Sequence, residues 1–293
     1  MKGLRVYDFQ PIRKPVIDKW IAEEIIQRKP GSVMKLSYPG LEVSIVVELD
    51  EVVFKSEGSE YSISINDVRK AADSDKMYML DEGILIPLEV RRKGYYKLLP
   101  VAPGKPPTIE INGIHMHRIT NTDPEKDTLA KIRAARIRPG VRVLDVCTGL
   151  GYTAIYSVKK GAASVVTIEV DDAVLYLAER NPWSWLLSDE RIRIIHEDAT
   201  KVLPRLDDES FDRIIHDPPR LTSSTGDLYG LTFYRELYRV LKPGGVLFHY
   251  TGTPGKLRKI NLPGKVSSRL EKAGFIVRYF DRRALGVVAV KPR

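Results

Sequence analysis

Cysteine is nearly absent from this sequence, and the scarcity narrows the classes of protein to which the chain can belong. The single thiol, Cys147, excludes an internal disulfide and a zinc cluster built on several cysteines. No apolar run approaches the ~20 residues of a membrane-spanning helix. The N-terminal segment also lacks the apolar core and cleavage site of a signal peptide. We therefore expect a cytoplasmic protein with no membrane partner and no metal.

Labile amides and, toward the end of the chain, acidic residues are also scarce. Two Gln and five Asn occur among the 293 residues, which is typical of proteins from thermophiles. The net charge of +9 is concentrated in residues 220–293, which contain fifteen Lys and Arg but four Asp and Glu. This basic segment is either a solvated face or a surface for a polyanion, and the shortage of acids favours the polyanion.

A chain of 293 residues is longer than one typical domain, and its pattern changes near residue 122. Before that point, most segments alternate apolar and polar residues as strands do. The elements predicted there are a helix over 15–28, strands over 41–49 and 51–65, a helix over 65–72, later strands, and a hairpin turning at Asn112 and Gly113. We predict that residues 1–122 form a small, mostly stranded α+β domain, which has no functional motif of its own.

From residue 123 onward, helical and strand patterns alternate. The predicted strands are VRVLDVC, SVVTIEV, RIRIIHED, FDRIIHDPP and GGVLFHY, followed by a closing hairpin of FIVRYFDRR and GVVAVKP. This alternation indicates an α/β fold with a doubly wound, mostly parallel, Rossmann-like sheet and a terminal antiparallel hairpin over residues 123–293. Ligands of such sheets bind beyond the carboxyl ends of the strands, where the motifs below fall.

A glycine loop follows the first of these strands. Gly149 and Gly151 allow a tight turn that a ligand can approach, and with Ala154 they also satisfy the dinucleotide fingerprint. Glu169 lies 20 residues after Gly149, where an acid that binds ribose belongs. Nucleoside binding is expected under either interpretation, a plain strand-to-helix turn being the alternative. Asp145 favours the cationic amino-acid part of S-adenosylmethionine, since a pyrophosphate would be repelled by it.

Two further acidic positions stand at predicted strand ends. Asp198 follows the third strand and is either an acceptor for an adenine amine or the N-cap of the next helix. Asp217, followed by Pro218 and Pro219, ends a buried strand, and two prolines cannot continue the hydrogen-bonded ladder. The Asp217 side chain and the Asp217 and Pro218 carbonyls can then accept N–H bonds from a substrate amine. The alternative is a turn in which Asp217 is a local cap.

Together these motifs resemble class I S-adenosylmethionine-dependent methyltransferases over roughly residues 123–293. The segments DVCTGLGYTA, IEVDDAVLYLAERNPWS, HDPPR and FYRELYRVLKPGG more closely resemble an archaeal family that dimethylates cytidine N4 in ribosomal RNA. The resemblance implies that Asp217, Pro218 and Pro219 hold the target amine. It implies S-adenosylmethionine as cofactor, held by Asp145, Cys147, Thr148, Gly149, Gly151, Tyr152, Thr153, Glu169, Val170, Asp198 and Ala199.

The chain departs at two positions from the broader patterns, which are the class I methyltransferase loop and the Asp/Asn/Ser-Pro-Pro-aromatic motif of nucleobase amino-methyltransferases. Cys147 stands where the methyltransferase loop usually has glycine, and Arg220 replaces the aromatic residue that normally follows the two prolines and stacks on the base. A guanidinium can stack on a base or hold a phosphate. Alternatively, Tyr229, Phe233 or Tyr234 supplies a ring, although aromatics at helical spacing more often lie in a core.

The basic segment is expected to bind the substrate beside Asp217. Its charged residues on the loop after GGVLFHY are Lys256, Arg258, Lys259 and Lys265, and Arg269 and Lys272 continue the charge on the following helix. The sequence therefore predicts an RNA methyltransferase that acts on an exocyclic base amine, with cytidine N4 of ribosomal RNA the first candidate. The alternatives are transfer of a methyl or aminopropyl group to a small amine, methyl transfer to adenine N6 or guanine N2 in tRNA or DNA, and a non-catalytic RNA-binding protein.

Overall fold

The computed structural model describes residues 3–56, 58–223, 225–252 and 261–293. None of the helices in these ranges combines the length and the apolar character needed to cross a membrane. The candidate residues Lys256, Arg258 and Lys259 lie outside the described residues.

The first 115 residues are mostly short strands, as predicted. The strands are β1 (Val16–Ile17), β2 (Ser32–Tyr38), β3 (Leu41–Val47), β4 (Glu51–Ser56), β5 (Ser59–Ser64), β6 (Tyr78–Asp81), β7 (Ile84–Pro87), β8 (Glu89–Arg91), β9 (Tyr95–Leu99), β10 (Thr108–Ile111) and β11 (Ile114–His115). Two helices interrupt them, α1 (Lys19–Gln27) and α2 (Ile65–Ala72). The helix predicted over 15–28 begins later, because Asp18 caps α1 by accepting a hydrogen bond from the Ile21 N–H at 2.9 Å.

These strands form three antiparallel sheets, ordered β1-β6-β7, β2-β3-β4-β5 and β11-β10-β9-β8. Alternate residues of β3 are buried, which is the pattern of a strand with one face on a core. The predicted hairpin turn is confirmed: Asn112 and Gly113 have φ of 49° and 78°, as a two-residue turn of this kind requires.

The second part of the chain alternates helices and strands. Its helices are α3 (Pro124–Ala134), α4 (Tyr152–Lys159), α5 (Asp172–Glu179), α6 (Ala199–Val202), α7 (Leu231–Val240) and α8 (Leu262–Lys272), with 3₁₀ helices over Pro182–Ser188, Leu203–Arg205 and Gly226–Tyr229. Its strands are β12 (Arg142–Val146), β13 (Ser164–Glu169), β14 (Ile192–His196), β15 (Phe211–His216), β16 (Leu241–Tyr250), β17 (Ile276–Asp281) and β18 (Gly286–Val290).

The seven strands form one sheet in the order β14-β13-β12-β15-β16-β18-β17. Neighbouring strands from β14 to β16 are parallel, and β18 runs antiparallel to both β16 and β17. This confirms the doubly wound sheet with a terminal hairpin. The strand order reverses at β12, so the carboxyl ends of β12, β13 and β15 flank the switch point at which such sheets bind ligands.

The chain divides into two compact units that interleave along the sequence. One comprises Met1–Phe9, Lys126–Asp171 and Asp189–Arg293, and the other comprises Gln10–Glu125 and Asp172–Ser188. The predicted division at 122/123 differs from these units in three segments. Residues up to Phe9 belong with the large sheet, α5 belongs with the small sheets, and so do residues 123–125. The second difference has a visible cause: Trp185, in the 3₁₀ helix after α5, is buried in the core formed by α1 and β2–β5.

The N-terminal segment extends the large sheet beyond β14. Val6 forms an antiparallel bridge with Ile195, the Tyr7 N–H donates to the Ile194 carbonyl at 2.9 Å, and the His196 N–H donates to the Arg5 carbonyl at 2.9 Å. These bonds satisfy backbone groups of β14 that an edge strand would otherwise leave unpaired.

Candidate active site

The loop between β12 and α4 is bound to the neighbouring strand β13. The N–H groups of Cys147 and Thr148 both donate to the Ile168 carbonyl, at 3.1 and 2.9 Å. Gly149 and Gly151 have φ of 55° and 76°, in the left-handed region that favours glycine. A Cβ built on Gly149 would meet no atom within 4 Å, so the loop presents bare backbone to open space.

Cys147 itself adopts the left-handed conformation, with φ of 72°. This explains why glycine is the usual residue at this position of the methyltransferase loop, since any side chain is strained there by about 1–2 kcal/mol. Burial raises the pKa of the Cys147 thiol well above its usual range, with the Glu169 carboxylate adding to the rise. The thiol is therefore not activated as a nucleophile.

Asp145 is completely buried on β12, and its two oxygens have different surroundings. Oδ2 accepts hydrogen bonds from the hydroxyls of Thr153 and Thr167, at 3.0 and 2.9 Å. Oδ1 is also buried, and no described residue donates to it. Burial raises the pKa of Asp145 to about 7, although the two threonine hydroxyls oppose that rise. A buried acceptor without a donor is incomplete, and a ligand N–H would complete it.

The first turn of α4 and the loop before it supply polar groups around Asp145. Thr148 is buried, and its Oγ1 lies 2.7 Å from Oγ1 of Thr167, which donates to Asp145. Tyr152 and Thr153 are also buried, so their side chains fix the start of the helix. The structure thus brings together the candidates Asp145, Cys147, Thr148, Gly149, Gly151, Tyr152 and Thr153.

Glu169, at the carboxyl end of β13, is tied to the glycine loop. Its Oε2 accepts from the Gly149 N–H at 2.9 Å, and its Oε1 accepts from the N–H groups of Val170 and Asp171, at 2.9 and 3.0 Å. Burial raises the pKa of Glu169, although the three backbone bonds oppose the rise. Val170 is 64% exposed directly after this acid, which provides an apolar surface beside the loop.

Asp198 follows β14 and is the N-cap of α6, which is the second of the two roles that the sequence allows for it. Its Oδ1 accepts from the N–H and the hydroxyl of Thr200, at 2.8 and 2.7 Å. The next residue, Ala199, is buried in the first turn. Asp198 is thus at the carboxyl edge of the sheet, with one oxygen used by the cap.

Asp217 leaves β15 beside the end of β12, since its N–H donates to the Val146 carbonyl at 3.3 Å. Pro218 is buried, whereas Pro219 and Arg220 are exposed. The Asp217 side chain is 19% exposed, and its Oδ2 accepts from Nζ of Lys131 at 2.6 Å. No described residue donates to Oδ1 of Asp217.

Lys131 and Asp127 were missed from the sequence. Both lie on α3 and are almost fully buried, with Nζ of Lys131 at 2.8 Å from Oδ2 of Asp127. Their i, i+4 spacing was visible in PEKDTLAKIRA, but such pairs are usually exposed ones that stabilise a helix. No local pattern shows that α3 buries this face, or that the carboxylate of Asp217, which follows β15, lies against it.

The aromatic rings proposed to stack on a base lie in the core instead, which corrects that expectation. Tyr229 and Tyr234 are buried, so neither presents a ring face to a base. The Tyr229 hydroxyl donates to the Pro219 carbonyl at 2.8 Å, and the Tyr234 hydroxyl lies 2.8 Å from Nε2 of His249. Tyr229 therefore supports the proline turn from beneath, and Arg220 is the exposed residue beside it.

The charged residues predicted to bind the substrate include three on one face of α8, and Lys265 lies within this helix instead of on the loop before it. Lys265, Arg269 and Lys272 are exposed at spacings of four and three residues. Arg269 also donates from Nη1 to the Tyr229 carbonyl at 3.0 Å, which ties this face to the 3₁₀ helix under the proline turn.

The residues present fit S-adenosylmethionine. The orphaned Oδ1 of Asp145 can accept from an ammonium, the open backbone at Gly149 leaves room for close approach, and the exposed Val170 side chain can pack on an adenine ring. Among the described residues, no group of three or more His, Cys, Asp or Glu side chains could hold a metal ion.

Comparison with known proteins agrees with this geometry. Residues 143–245 match the family described as "Methyltransferase domain". The chain is 44% identical over 278 residues to the "Uncharacterized protein MJ1233" of Methanocaldococcus jannaschii, covering 93% of this chain and 94% of that protein.

More distant similarities extend over shorter stretches or concern the fold alone. The "Ribosomal RNA large subunit methyltransferase I" of Shewanella frigidimarina is 29% identical over 163 residues, which is 51% of this chain and 41% of that protein. The chain therefore spans less than half the length of that relative. The fold is similar to that of spermidine synthase from Thermotoga maritima, with a TM-score of 0.54 and 18% identity over 72% of this chain and 76% of that one. The chain thus belongs to the same family as the Methanocaldococcus protein, and it is a class I S-adenosylmethionine-dependent methyltransferase.

Proposed function

We propose that this enzyme methylates an exocyclic amine of a base in RNA, with cytidine N4 in ribosomal RNA as the first candidate. The observation that carries the proposal is the acceptor at the end of β15. Asp217 has one oxygen held by Lys131 and the other without a donor among the described residues, directly before two prolines that turn the chain away from the sheet. That arrangement suits a substrate amine, whose N–H groups can donate to it, whereas a carbon nucleophile would bring no such donor.

The cofactor residues have separate roles in this proposal. Oδ1 of Asp145 accepts from the ammonium of S-adenosylmethionine, and the loop around Gly149 lies against its methionine part. Glu169 binds the ribose hydroxyls through lone pairs that the backbone bonds leave, and Val170, Asp198 and Ala199 surround the adenine. The bound cofactor supplies an electrophilic methyl group on a sulfonium.

The protein's part in the chemical step is orientation of the amine. The lone pair of an exocyclic base amine is delocalised into the ring, so the nitrogen is a poor nucleophile. Acceptance of its two N–H groups by Oδ1 of Asp217 and the Pro218 carbonyl favours a pyramidal nitrogen whose lone pair is available. Positioning of this kind is worth large factors in rate. The proton leaves after methyl transfer, when the nitrogen is acidic, so no strong base is needed.

Methylation at carbon 5 of cytosine is disfavoured by the position and the high pKa of Cys147, the only thiol in the sequence. That reaction needs a thiolate that adds to the ring. Cys147 lies in the loop after β12, and burial raises the pKa of its thiol well above its usual range. Transfer to nitrogen needs no covalent intermediate, and it agrees with the surroundings of Asp217.

RNA as the substrate is supported by charge and by similarity. Residues 220–293 carry fifteen Lys and Arg against four Asp and Glu, and α8 exposes Lys265, Arg269 and Lys272 on one face. Phosphate contacts from such residues position RNA without reading its sequence. The exposed Arg220 can stack on a base or hold a phosphate beside Pro219. The similar Shewanella protein is named as a ribosomal RNA methyltransferase.

The proposal is tested by mass spectrometry of RNA nucleosides from a strain that lacks the gene, beside its parent. We expect loss of cytidine methylated on N4, restored by the intact gene and not by a copy carrying Asp217→Ala. Loss of N6-methyladenosine or N2-methylguanosine instead would retain the amine and change the base. An unchanged set of RNA nucleosides would contradict RNA as the substrate.

A further inference from the structure

Three charged side chains meet beneath the proline turn, and two of them are almost inaccessible to water. The side chains of Lys131 and Asp127 are 2% and 0% exposed, and that of Asp217 is 19% exposed. Nζ of Lys131 lies 2.8 Å from Oδ2 of Asp127 and 2.6 Å from Oδ2 of Asp217. We call Lys131, Asp127 and Asp217 the buried triad.

The Lys131 ammonium lies between the two carboxylates of this triad. Nζ donates a hydrogen bond to Oδ2 of Asp217 and lies within ion-pair distance of Oδ2 of Asp127. Nζ also lies 4.7 Å from the centre of the Tyr250 ring, which suits a cation. Burial lowers the pKa of Lys131, but the Asp217 and Asp127 carboxylates outweigh burial and raise it. Lys131 therefore stays protonated and does not act as a base.

Burying an ion pair is seldom justified by stability alone, because well-packed apolar residues can stabilise a core equally well. The triad is placed where its charge affects the acceptor proposed for the substrate. Lys131 occupies Oδ2 of Asp217, which fixes the carboxylate plane and leaves Oδ1 as the remaining acceptor. A rotated Asp217 would not aim that oxygen at the amine, and a protonated Asp217 would be a weaker acceptor than the carboxylate.

We propose that Lys131 is a positioning residue for methyl transfer, which keeps Asp217 ionised and oriented toward the substrate amine, and that Asp127 fixes Lys131 in place. The inference deepens the proposed function and rests on it. Lys131 contacts neither substrate nor cofactor and acts through Asp217.

The charges around Asp217 give the triad a measurable signature. Burial raises the pKa of Asp217, the Lys131 ammonium opposes the rise, and the Asp127 carboxylate adds to it. The other titratable groups near Asp217 are Asp145 and Cys147 from β12 and its loop and Tyr229 from the 3₁₀ helix, and Tyr250 from β16 faces Lys131. These groups stay the same in the variants below, so a change in the pKa of Asp217 reports on the triad.

Two variants are expected to move the pKa of Asp217 in opposite directions. The pair Lys131→Met with Asp127→Asn removes the ammonium while it keeps the net charge of the triad, so the pKa rises. Asp127→Asn alone removes only the like charge, so the pKa falls. The direct measurement is the ¹³C carboxyl titration of labelled Asp, in which the Asp217 signal is identified by its loss in Asp217→Asn. We expect a shift of about one pH unit or more for the paired variant.

The same variants are then compared in single-turnover methyl transfer to RNA from the strain that lacks the gene. The paired variant should lose roughly tenfold or more in rate near neutral pH, with the acid limb of its pH profile moved upward, while Asp127→Asn moves that limb downward. In an Asp217→Asn background, the pair Lys131→Met with Asp127→Asn should change the rate little, because a neutral amide needs no counterion.

The outcomes separate the inference from the proposed function. If Lys131 only holds α3 against the end of β15, the variants should change thermal stability but leave the pKa of Asp217 and the acid limbs of both pH profiles unchanged. That result would overturn the inference. If the paired variant does not fold, Asp127→Asn alone decides through the direction of its shift. An intact protein that transfers no methyl group to RNA would instead contradict the proposed function, whatever the carboxyl titration gives.

Discussion

Asp145 and Asp217 end neighbouring parallel strands and are both surrounded by protein, yet their partners are of opposite kinds. Asp145 accepts from two threonine hydroxyls and has a buried oxygen to which no described residue donates. Asp217 accepts from a buried ammonium. The carboxylate that we assign to the cofactor thus has no cation bonded to it among the described residues, and Lys131 acts on it only at longer range, by lowering its pKa. The carboxylate that we assign to the substrate is bonded to Lys131 directly.

The difference matches the charges of the two proposed ligands. The amino-acid part of S-adenosylmethionine brings an ammonium, so a protein cation beside Asp145 would compete with it. An exocyclic base amine is neutral and brings no countercharge, so a buried carboxylate that accepts from it needs an ammonium from the protein. The two strand ends are therefore adapted to a cationic and a neutral ligand.

The largest expected effect is on the substrate side, where Asp217→Ala removes the acceptor and leaves Lys131 with one carboxylate partner. We expect single-turnover methyl transfer at saturating RNA and cofactor to slow about 10²-fold or more, because the amine loses its orientation. Cofactor affinity, measured by calorimetry, should change little.

The matched control for this prediction is Asp217→Asn. Its amide oxygen can still accept from the amine, so the loss of rate should be milder than for alanine. Transfer at the parental rate by Asp217→Ala would show that the proline turn is structural only, and the contrast between the two carboxylates would then have no functional meaning.

On the cofactor side, Glu169→Ala should weaken binding of S-adenosylmethionine and of its demethylated product by about 1–3 kcal/mol. The substitution removes the proposed ribose acceptor and also frees the Gly149 N–H from its carboxylate. Isothermal calorimetry measures the change, with Glu169→Gln as the milder control. Equal affinity for the parent and the alanine variant would remove Glu169 from the site.

Asp145 should make cofactor binding depend on pH. Burial raises the pKa of Asp145 to about 7 in the unliganded protein, so the carboxylate is protonated below that pH and cannot pair with an ammonium. Affinity should therefore strengthen as pH rises through about 7 and weaken again above roughly 8, where an α-amino group loses its proton.

The control for this prediction is Asp145→Asn, which should abolish the lower limb of the affinity profile and keep the upper one. The raised pKa of Asp145 also affects the stability of the unliganded protein. The protonated Asp145 side chain contributes stability at low pH, and this contribution is lost as pH rises through about 7. Thermal stabilisation by the cofactor should consequently grow over the same range. A parent protein whose cofactor affinity stays flat between about pH 5 and about pH 8 would contradict the assignment of Asp145.

The smallest expected effect is on the salt dependence of binding, which should distinguish the RNA surface from the cofactor site. Replacing Lys256, Arg258 and Lys259 together with Ala should flatten the salt dependence of RNA binding, by up to ~0.7–0.9 in logarithmic slope for each phosphate that is no longer neutralised. Cofactor affinity should stay the same. Lys159→Ala with Lys160→Ala, two exposed lysines at the C-terminal end of α4, is the control pair. An unaltered slope would indicate that RNA binds at another surface.

Local patterns in the sequence were enough to predict most of the fold. The strand-to-loop motif of β12, the α2 segment and the turn at Asn112 and Gly113 depend on short-range chemistry, and the structure confirms them. The strands β1, β2 and β6 were not predicted. Apolar and polar residues alternate from Met34 to Tyr38 in β2, so a local signal was present there, whereas β1 and β6 are too short to show an alternation. The membership of α5 in the unit of small sheets depends on where Trp185 is buried, which no local pattern contains.

The candidate site divides in the same way. The acids at strand ends were visible because a parallel sheet brings its carboxyl ends to one edge. Lys131 was not, because its role depends on a carboxylate 86 residues away in the sequence. The rings of Tyr229 and Tyr234 fit a stacking or a core role equally well in the sequence, and only their burial decides between the two.

The central claim, transfer to a base amine in RNA, is tested most directly by following the methyl group itself. Purified enzyme is incubated with S-adenosylmethionine carrying a deuterated methyl group and with RNA from the strain that lacks the gene, and the digested nucleosides are located by fragmentation mass spectrometry. We predict deuterated methyl on the exocyclic nitrogen of a base, with cytidine N4 as the first candidate, and little label with Asp217→Ala. A label on a ring carbon or on ribose, or RNA without label, would contradict this prediction.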